Sequence, residues 1–166
     1  MKNKITKISG FSLIEVIVYL ALFGILMAGA FTAAYSLLES ANRGNAAIIM
    51  QEEGNFLLAK INWALSSISE VNSPTLDTSS QNLLVTSINP GVGSIEIELS
   101  GDNIVLTRGG ITETLNNTNI KASNMLFTYG SNDYVEWLTS SFTLNTMTLD
   151  GKAISQNFKS TKYLKK

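Results

Sequence analysis

The sequence contains no cysteine and no histidine, and only two prolines in 166 residues. Without cysteine there is neither a disulfide framework nor thiol chemistry, and the redox compartment is left open. Without histidine the commonest general base and metal ligand is missing. Charge is sparse, at 15% of residues, and the net charge of −1 shows no basic excess of the kind carried by nucleic-acid binders. No cofactor or metal is expected, and there is no clear nucleic acid signal. The charge that is present is unevenly placed. Lys2, Lys4 and Lys7 precede any acid, and the remainder has nine basic against thirteen acidic residues. At the other end, Lys159, Lys162, Lys165 and Lys166 read as a solvated basic tail.

Against this sparse background one stretch stands out. From Phe11 to Leu38 the only charged residue is Glu15. About 20 helical residues cross a ~30 Å hydrocarbon core, so the run is long enough to span a bilayer. The lysines ahead of it predict an N-terminus kept in the cytoplasm and a C-terminal part that is exported. Three readings of residues 1–38 compete: a secretory signal peptide cut after Ala28-Gly29-Ala30, an uncut signal anchor, and a leader cut between Gly10 and Phe11. Glu15 argues against the first, because a charge weakens the apolar core of a signal peptide. So does the apolar sequence that continues through Phe31, Tyr35, Leu37 and Leu38.

A carboxylate within such a run is costly in lipid and points to function. Gly10-Phe11-Ser12-Leu13-Ile14-Glu15-Val16 resembles the prepilin signature of the type IV pilin and pseudopilin superfamily, and Gly24 falls where these helices commonly carry a glycine. The resemblance covers roughly the first 30 residues. It implies cleavage after Gly10 by a prepilin peptidase, followed by N-methylation of Phe11. It further implies that the Glu15 carboxylate meets the new N-terminal amine of a neighbouring subunit. Such a pair would be strong in a low-dielectric helix bundle, whereas the unpaired acid would be unfavourable. The competing reading of Glu15 is an acid that favours the helix N-terminal dipole and snorkels to the interface. Other subunits, the peptidase, membrane lipid and an inner-membrane assembly platform are the implied partners. The chain departs from many major pilins in lacking a proline about twenty residues into the mature helix, where it has Phe31-Thr32-Ala33-Ala34.

Residues 39–71 contain no proline, and Met50, Leu57, Ile61, Ala64 and Ile68 recur on one helical face. The expected helix runs from Phe11 to about Ser69, about 90 Å at 1.5 Å per residue, and stops at Ser73-Pro74. Gly44 and Gly54 are weak points within it, each expected to cost about 1 kcal/mol relative to alanine, and the polar patch Glu39–Asn45 is a place where it could bend. From Leu76 onward the pattern turns to strands: Asn82–Ile88, Ile95–Leu99, Ile104–Thr107, Ile111–Leu115, Met125–Tyr129 and Trp137–Leu149. Asn89-Pro90-Gly91, Gly101-Asp102-Asn103, Gly109-Gly110 and Ser131-Asn132-Asp133 read as turns between them, and Asp150-Gly151 as a turn after the last. The expected fold is α+β and pilin-like: a long N-terminal α-helix, membrane-spanning in its first half and amphipathic in its second, packed on an antiparallel β-sheet. The expected segments are a cleaved leader (1–10), a transmembrane and assembly helix (11–38), an amphipathic helix (39–72) and a β-rich domain (73–166). A weaker similarity, carried by Met125-Leu126-Phe127-Thr128-Tyr129 and the basic C-terminus, points to the J-type minor pseudopilins.

The rest of the chain offers little chemistry. Glu96 and Glu98 would lie on one strand face, a solvated pair with no partner placed for acid–base work. Arg108-Gly109-Gly110 lacks the following helix that an anion site needs and reads as a turn. Asn116-Asn117-Thr118 matches a glycosylation sequon, which means little outside a eukaryotic host. Trp63 and Trp137 read as core or interface packing. Nothing argues for an enzyme. The chain reads as a minor pilin or pseudopilin, held in the cytoplasmic membrane by one pass and built into a type IV pilus or type II secretion-like filament. The alternatives are a filament-borne binding module, for DNA uptake or adhesion, and a non-pilin domain on a single-pass anchor.

Overall fold

The computed structural model describes residues 12–66 and 68–164. The chain divides into two compact units, Met1–Ala41 and Asn42–Lys166. In the first, every described residue from Leu13 to Leu38 is exposed. These residues form the start of α1, which runs from Leu13 to Ala64. It is helical through Phe31–Ala34 and through the polar patch 39–45. With no proline in either place, nothing removes a backbone donor from the ladder.

Among the described residues the second unit contains the rest of α1 and nine strands. They are β1 (Ile68–Ser73), β2 (Thr78–Ser80), β3 (Leu83–Ser87), β4 (Ser94–Ser100), β5 (Asn103–Arg108), β6 (Ile111–Thr114), β7 (Lys121–Ser131), β8 (Glu136–Met147) and β9 (Ala153–Leu164). They form two antiparallel sheets, a five-stranded one in the order β1-β3-β4-β5-β6 and a four-stranded one in the order β2-β7-β8-β9. The architecture is therefore α+β and pilin-like, with two sheets where a single one was expected.

The buried face of α1 in this unit is Met50, Gly54, Leu57, Ile61 and Ala64, spaced by three, four and seven residues. It shares one core with Leu83 and Val85 of β3, Ile95 and Ile97 of β4, and Phe127, Phe142 and Phe158 of the other sheet. On β7 the inward residues are Ala122, Met125 and Phe127, which break strict alternation. The break is a bulge: the register shifts between Ser123 and Leu126, and Asn124 takes a φ of 53°. The extra residue returns Met125 and Phe127 to the core face. Between β5 and β6, Gly109 and Gly110 have φ of 59° and 81°, the two left-handed positions of a tight hairpin turn. Arg108-Gly109-Gly110 is thus a turn, as read from sequence.

Three expectations are corrected here. The helix stops at Ala64, not near Ser69. The Ser66 amide bonds the Trp63 carbonyl at 3.0 Å, and the Ser66 hydroxyl donates back to the Asn62 carbonyl at 2.6 Å, closing the last turn. Ile68 belongs to β1, where it pairs with Ser87, while Val71 pairs with Val85. Pairing with β3 outweighs the helical period that Ile68 happened to extend. Second, β1, β2 and β9 add to the six strands read from sequence. Third, the C-terminal lysines are not all tail. Lys159 and Lys162 lie on β9, which pairs with β8 along its whole length. Lys162 Nζ donates to the Asn62 carbonyl at 3.3 Å and to Ser66 Oγ at 2.9 Å, placing a cation at the C-terminus of α1. Lys165 and Lys166 lie outside the described residues.

Candidate processing and assembly segment

The segment begins with the helix cap. Ser12 precedes the first helical residue, and its Oγ accepts the Glu15 amide at 3.3 Å. The Ser12 carbonyl accepts the amides of Glu15, at 3.0 Å, and Val16, at 3.3 Å. Ser12-x-x-Glu15 is the serine–glutamate spacing of a helix N-terminus, a signal already present in the sequence. The carboxylate itself turns along the helix. Glu15 Oε1 accepts a hydrogen bond from the Tyr19 hydroxyl at 3.2 Å, one turn on. Glu15 therefore sits in the first turn, close to the positive end of the helix dipole, with a tyrosine partner that sequence reasoning missed. The i, i+4 spacing of Glu15 and Tyr19 could have revealed it. Gly10 and Phe11 lie outside the described residues.

After Tyr19 the helix surface is apolar on every side. Leu20, Phe23, Leu26 and Phe31 are all more than half exposed. α1 is long and apolar enough to cross a membrane, with a mean hydropathy of 2.3 over its most apolar window. A helix that is hydrophobic all round is stable only when lipid or other helices surround it.

The remaining sequence candidates scatter over the domain. Glu96 and Glu98 are half-buried on β4, and Glu96 Oε1 accepts from Asn82 Nδ2 at 3.2 Å. Among the described residues no three His, Cys, Asp or Glu side chains stand together in a way that could hold a metal. Asn116 is a structural residue. It is 5% exposed; its Oδ1 accepts the Ile104 amide at 2.7 Å and its Nδ2 donates to the Ile120 carbonyl at 2.6 Å. A glycan could not be added there without breaking the fold. Trp63 is 45% exposed, with Lys60 Nζ 5.9 Å and the Arg108 guanidinium 5.8 Å from its ring centre. With Glu113 and Ile111 these residues line a cleft of about 210 Å³.

The Tyr129 titration is displaced upward. Burial, and then the hydrogen bond donated to Glu136 Oε2 at 2.5 Å, push the Tyr129 hydroxyl up to about 12. The folded chain holds this proton more tightly than the unfolded chain, whose tyrosine titrates near 10. The stabilisation is therefore complete below pH 10 and is lost as pH rises from about 10 to about 12. Urea midpoints should fall across that interval, and Tyr129→Phe should flatten the fall. An unchanged slope in Tyr129→Phe would remove Tyr129 as its source.

Comparison with known families falls on this same segment. Residues 5–31 match the family model of the prokaryotic N-terminal methylation motif. The match supports the type IV pilin-like reading of this end of the chain and spans Gly10, Phe11, Glu15 and Tyr19. No curated protein and no solved structure matches the chain.

Proposed function

We propose that the chain is a prepilin-type subunit, processed between Gly10 and Phe11 and assembled through α1 into a pilus-like or secretion-type filament. The observation that carries this is one coincidence. Within the methylation-motif match, residues 12–31 form a capped, apolar, exposed helix start whose only charge is Glu15. In this reading residues 1–10 are removed, Phe11 is N-methylated, and the subunit waits in the cytoplasmic membrane with its C-terminal domain outside. The unbroken helix at Phe31–Ala34 favours a minor subunit over a major one. The role is structural, and its partners are other subunits, the peptidase, the assembly platform and lipid.

Intact-mass analysis from a host with a prepilin peptidase should show loss of residues 1–10, with or without one added methyl group. A mature start at Phe31, or an uncut chain, would sink the proposal. Glu15→Ala should leave cleavage intact and lower incorporation into filaments by at least about tenfold, as expected when a desolvated charge pair loses one partner. Unchanged incorporation would remove the carboxylate from assembly.

A second reading, that the domain also recognises an anionic partner, is favoured by the Lys60–Trp63–Arg108 cluster, since Trp and Arg dominate binding hot spots. Arg108→Ala should then weaken retention of the chain on an immobilised polyanion. Equal retention would discard this reading.

A further inference from the structure

Turn tips usually carry polar residues, because their side chains stand in water. The turn from β8 to β9 does the reverse. Leu149 at its tip is 92% exposed and Met147 beside it is 74% exposed. They border an open groove of about 880 Å³ whose floor on α1 includes Asn42, Asn45 and the half-exposed Ile49. The turn is well built. Thr148 Oγ1 accepts the Lys152 amide at 3.0 Å, and the Gly151 amide bonds the Thr148 carbonyl at 2.9 Å. The protein thus holds two large apolar side chains outward on a defined turn.

The covalent chain limits what can cover them. Asn42, in the groove, stands four residues after Leu38, the last residue of the apolar run. Four residues reach no further than about 14 Å even when fully extended. The headgroup layer extends roughly 5–7 Å beyond each face of the hydrocarbon core. With Leu38 at the outer face of the hydrocarbon core, the groove is tethered within reach of the headgroup layer. Two of the cations beside it are paired: Lys121 with Asp102 at 2.7 Å and Lys152 with Asp150 at 3.6 Å. An apolar tip ringed by amides and paired charges suits a phospholipid surface of any headgroup charge.

We propose that the β8–β9 turn is a second, shallow membrane contact, in which Leu149 and Met147 enter the headgroup layer of the bilayer that α1 crosses. This rests on the membrane-anchored reading of the previous subsection. It gives the unassembled subunit two attachments, a span and a surface contact, and the second must be released for the domain to leave the membrane.

The absence of cysteine makes the test direct. Leu149→Cys, Tyr134→Cys and Leu26→Cys, each in the full chain, are labelled with an environment-sensitive dye at one chain per lipid nanodisc. Tyr134 is 89% exposed, in the turn at the other end of β8, and serves as the water reference. Spin-labelled headgroup lipid should quench the Leu149 dye at least about twofold more than the Tyr134 dye, equally in phosphatidylcholine and phosphatidylglycerol discs, as a contact of apolar origin requires. Equal quenching at Leu149 and Tyr134, beside a lipid-buried Leu26 dye, overturns the surface contact alone. A water-exposed Leu26 dye overturns the anchored reading and this one together. Shielding of Leu149 only in assembled filaments assigns the groove to another subunit and overturns it too. The unlabelled chain provides a check free of the dye: amide exchange across residues 147–153 in discs should be slower than in Leu149→Asn, and equal rates count against the contact.

Discussion

Gly54→Ala is expected to destabilise the domain by about 2 kcal/mol, the scale of overpacking in a close-packed core. Helix propensity alone predicts the opposite, a gain of about 1 kcal/mol on replacing a mid-helix glycine. The sign is decided by Phe158. A Cβ at position 54 would lie 2.0 Å from Phe158 Cε1 and 2.2 Å from Cζ, so the ring would have to move. That ring has little freedom, because it stacks on Phe142 with centroids 5.5 Å apart and is only 5% exposed. At Gly54 the ring of Phe158 on β9 lies against the α1 backbone, and the missing side chain permits it. Gly44 supplies the contrast. It is exposed, with nothing within 4 Å of an added Cβ, so Gly44→Ala should stabilise by about 0.5–1 kcal/mol. Urea unfolding of the full chain in detergent, followed by the fluorescence of Trp63 and Trp137, measures both. A Gly54→Ala chain as stable as the parent would show that Phe158 can move aside at little cost.

Asn116→Ala is expected to cost about 3 kcal/mol, because it leaves two buried backbone groups without partners. The Ile104 amide loses Oδ1 at 2.7 Å and the Ile120 carbonyl loses Nδ2 at 2.6 Å. Asn116 thereby ties the start of β5 to the loop that enters β7, two segments that no strand pairing joins at that point. Asn116→Asp separates the two bonds. It keeps an acceptor for the Ile104 amide but turns an oxygen toward the Ile120 carbonyl and toward Asn103 Oδ1, now 3.2 Å from Nδ2. It should be no more stable than Asn116→Ala, and less so as pH rises and the carboxyl ionises. Stability within ~0.5 kcal/mol of the parent in both variants, the range of ordinary surface substitutions, would mean that water replaces the side chain.

These two residues mark the boundary of what could be read from the chain alone. Gly54 read as a weak point in a helix, and Asn116 as part of a sequon. Both readings used only near neighbours in sequence, whereas each role is set by a residue or backbone group brought in by the fold. Ile68 shows the same limit. It continued the helical stripe of Ile61 and Ala64, and strand pairing with Ser87 claimed it. β9 was missed because Phe158 and Leu164 are its only buried residues, so its polar alternation resembled a tail.

The N-terminal segment behaved differently. Its recognition, the apolar run, the Ser12–Glu15 spacing and the Tyr19 contact depend on residues at most a few positions apart, on one helix whose own backbone supplies the geometry. The apolar helix, the match at residues 5–31, the α+β order of elements and most of the hairpins were therefore legible in the chain alone. Folding settled where α1 ends, that the strands divide into two sheets, why position 54 must lack a side chain, and that Leu149 stands bare at its turn. The difference is one of range. Helix period, capping and turn chemistry act within one element, while close packing and burial join residues a hundred positions apart.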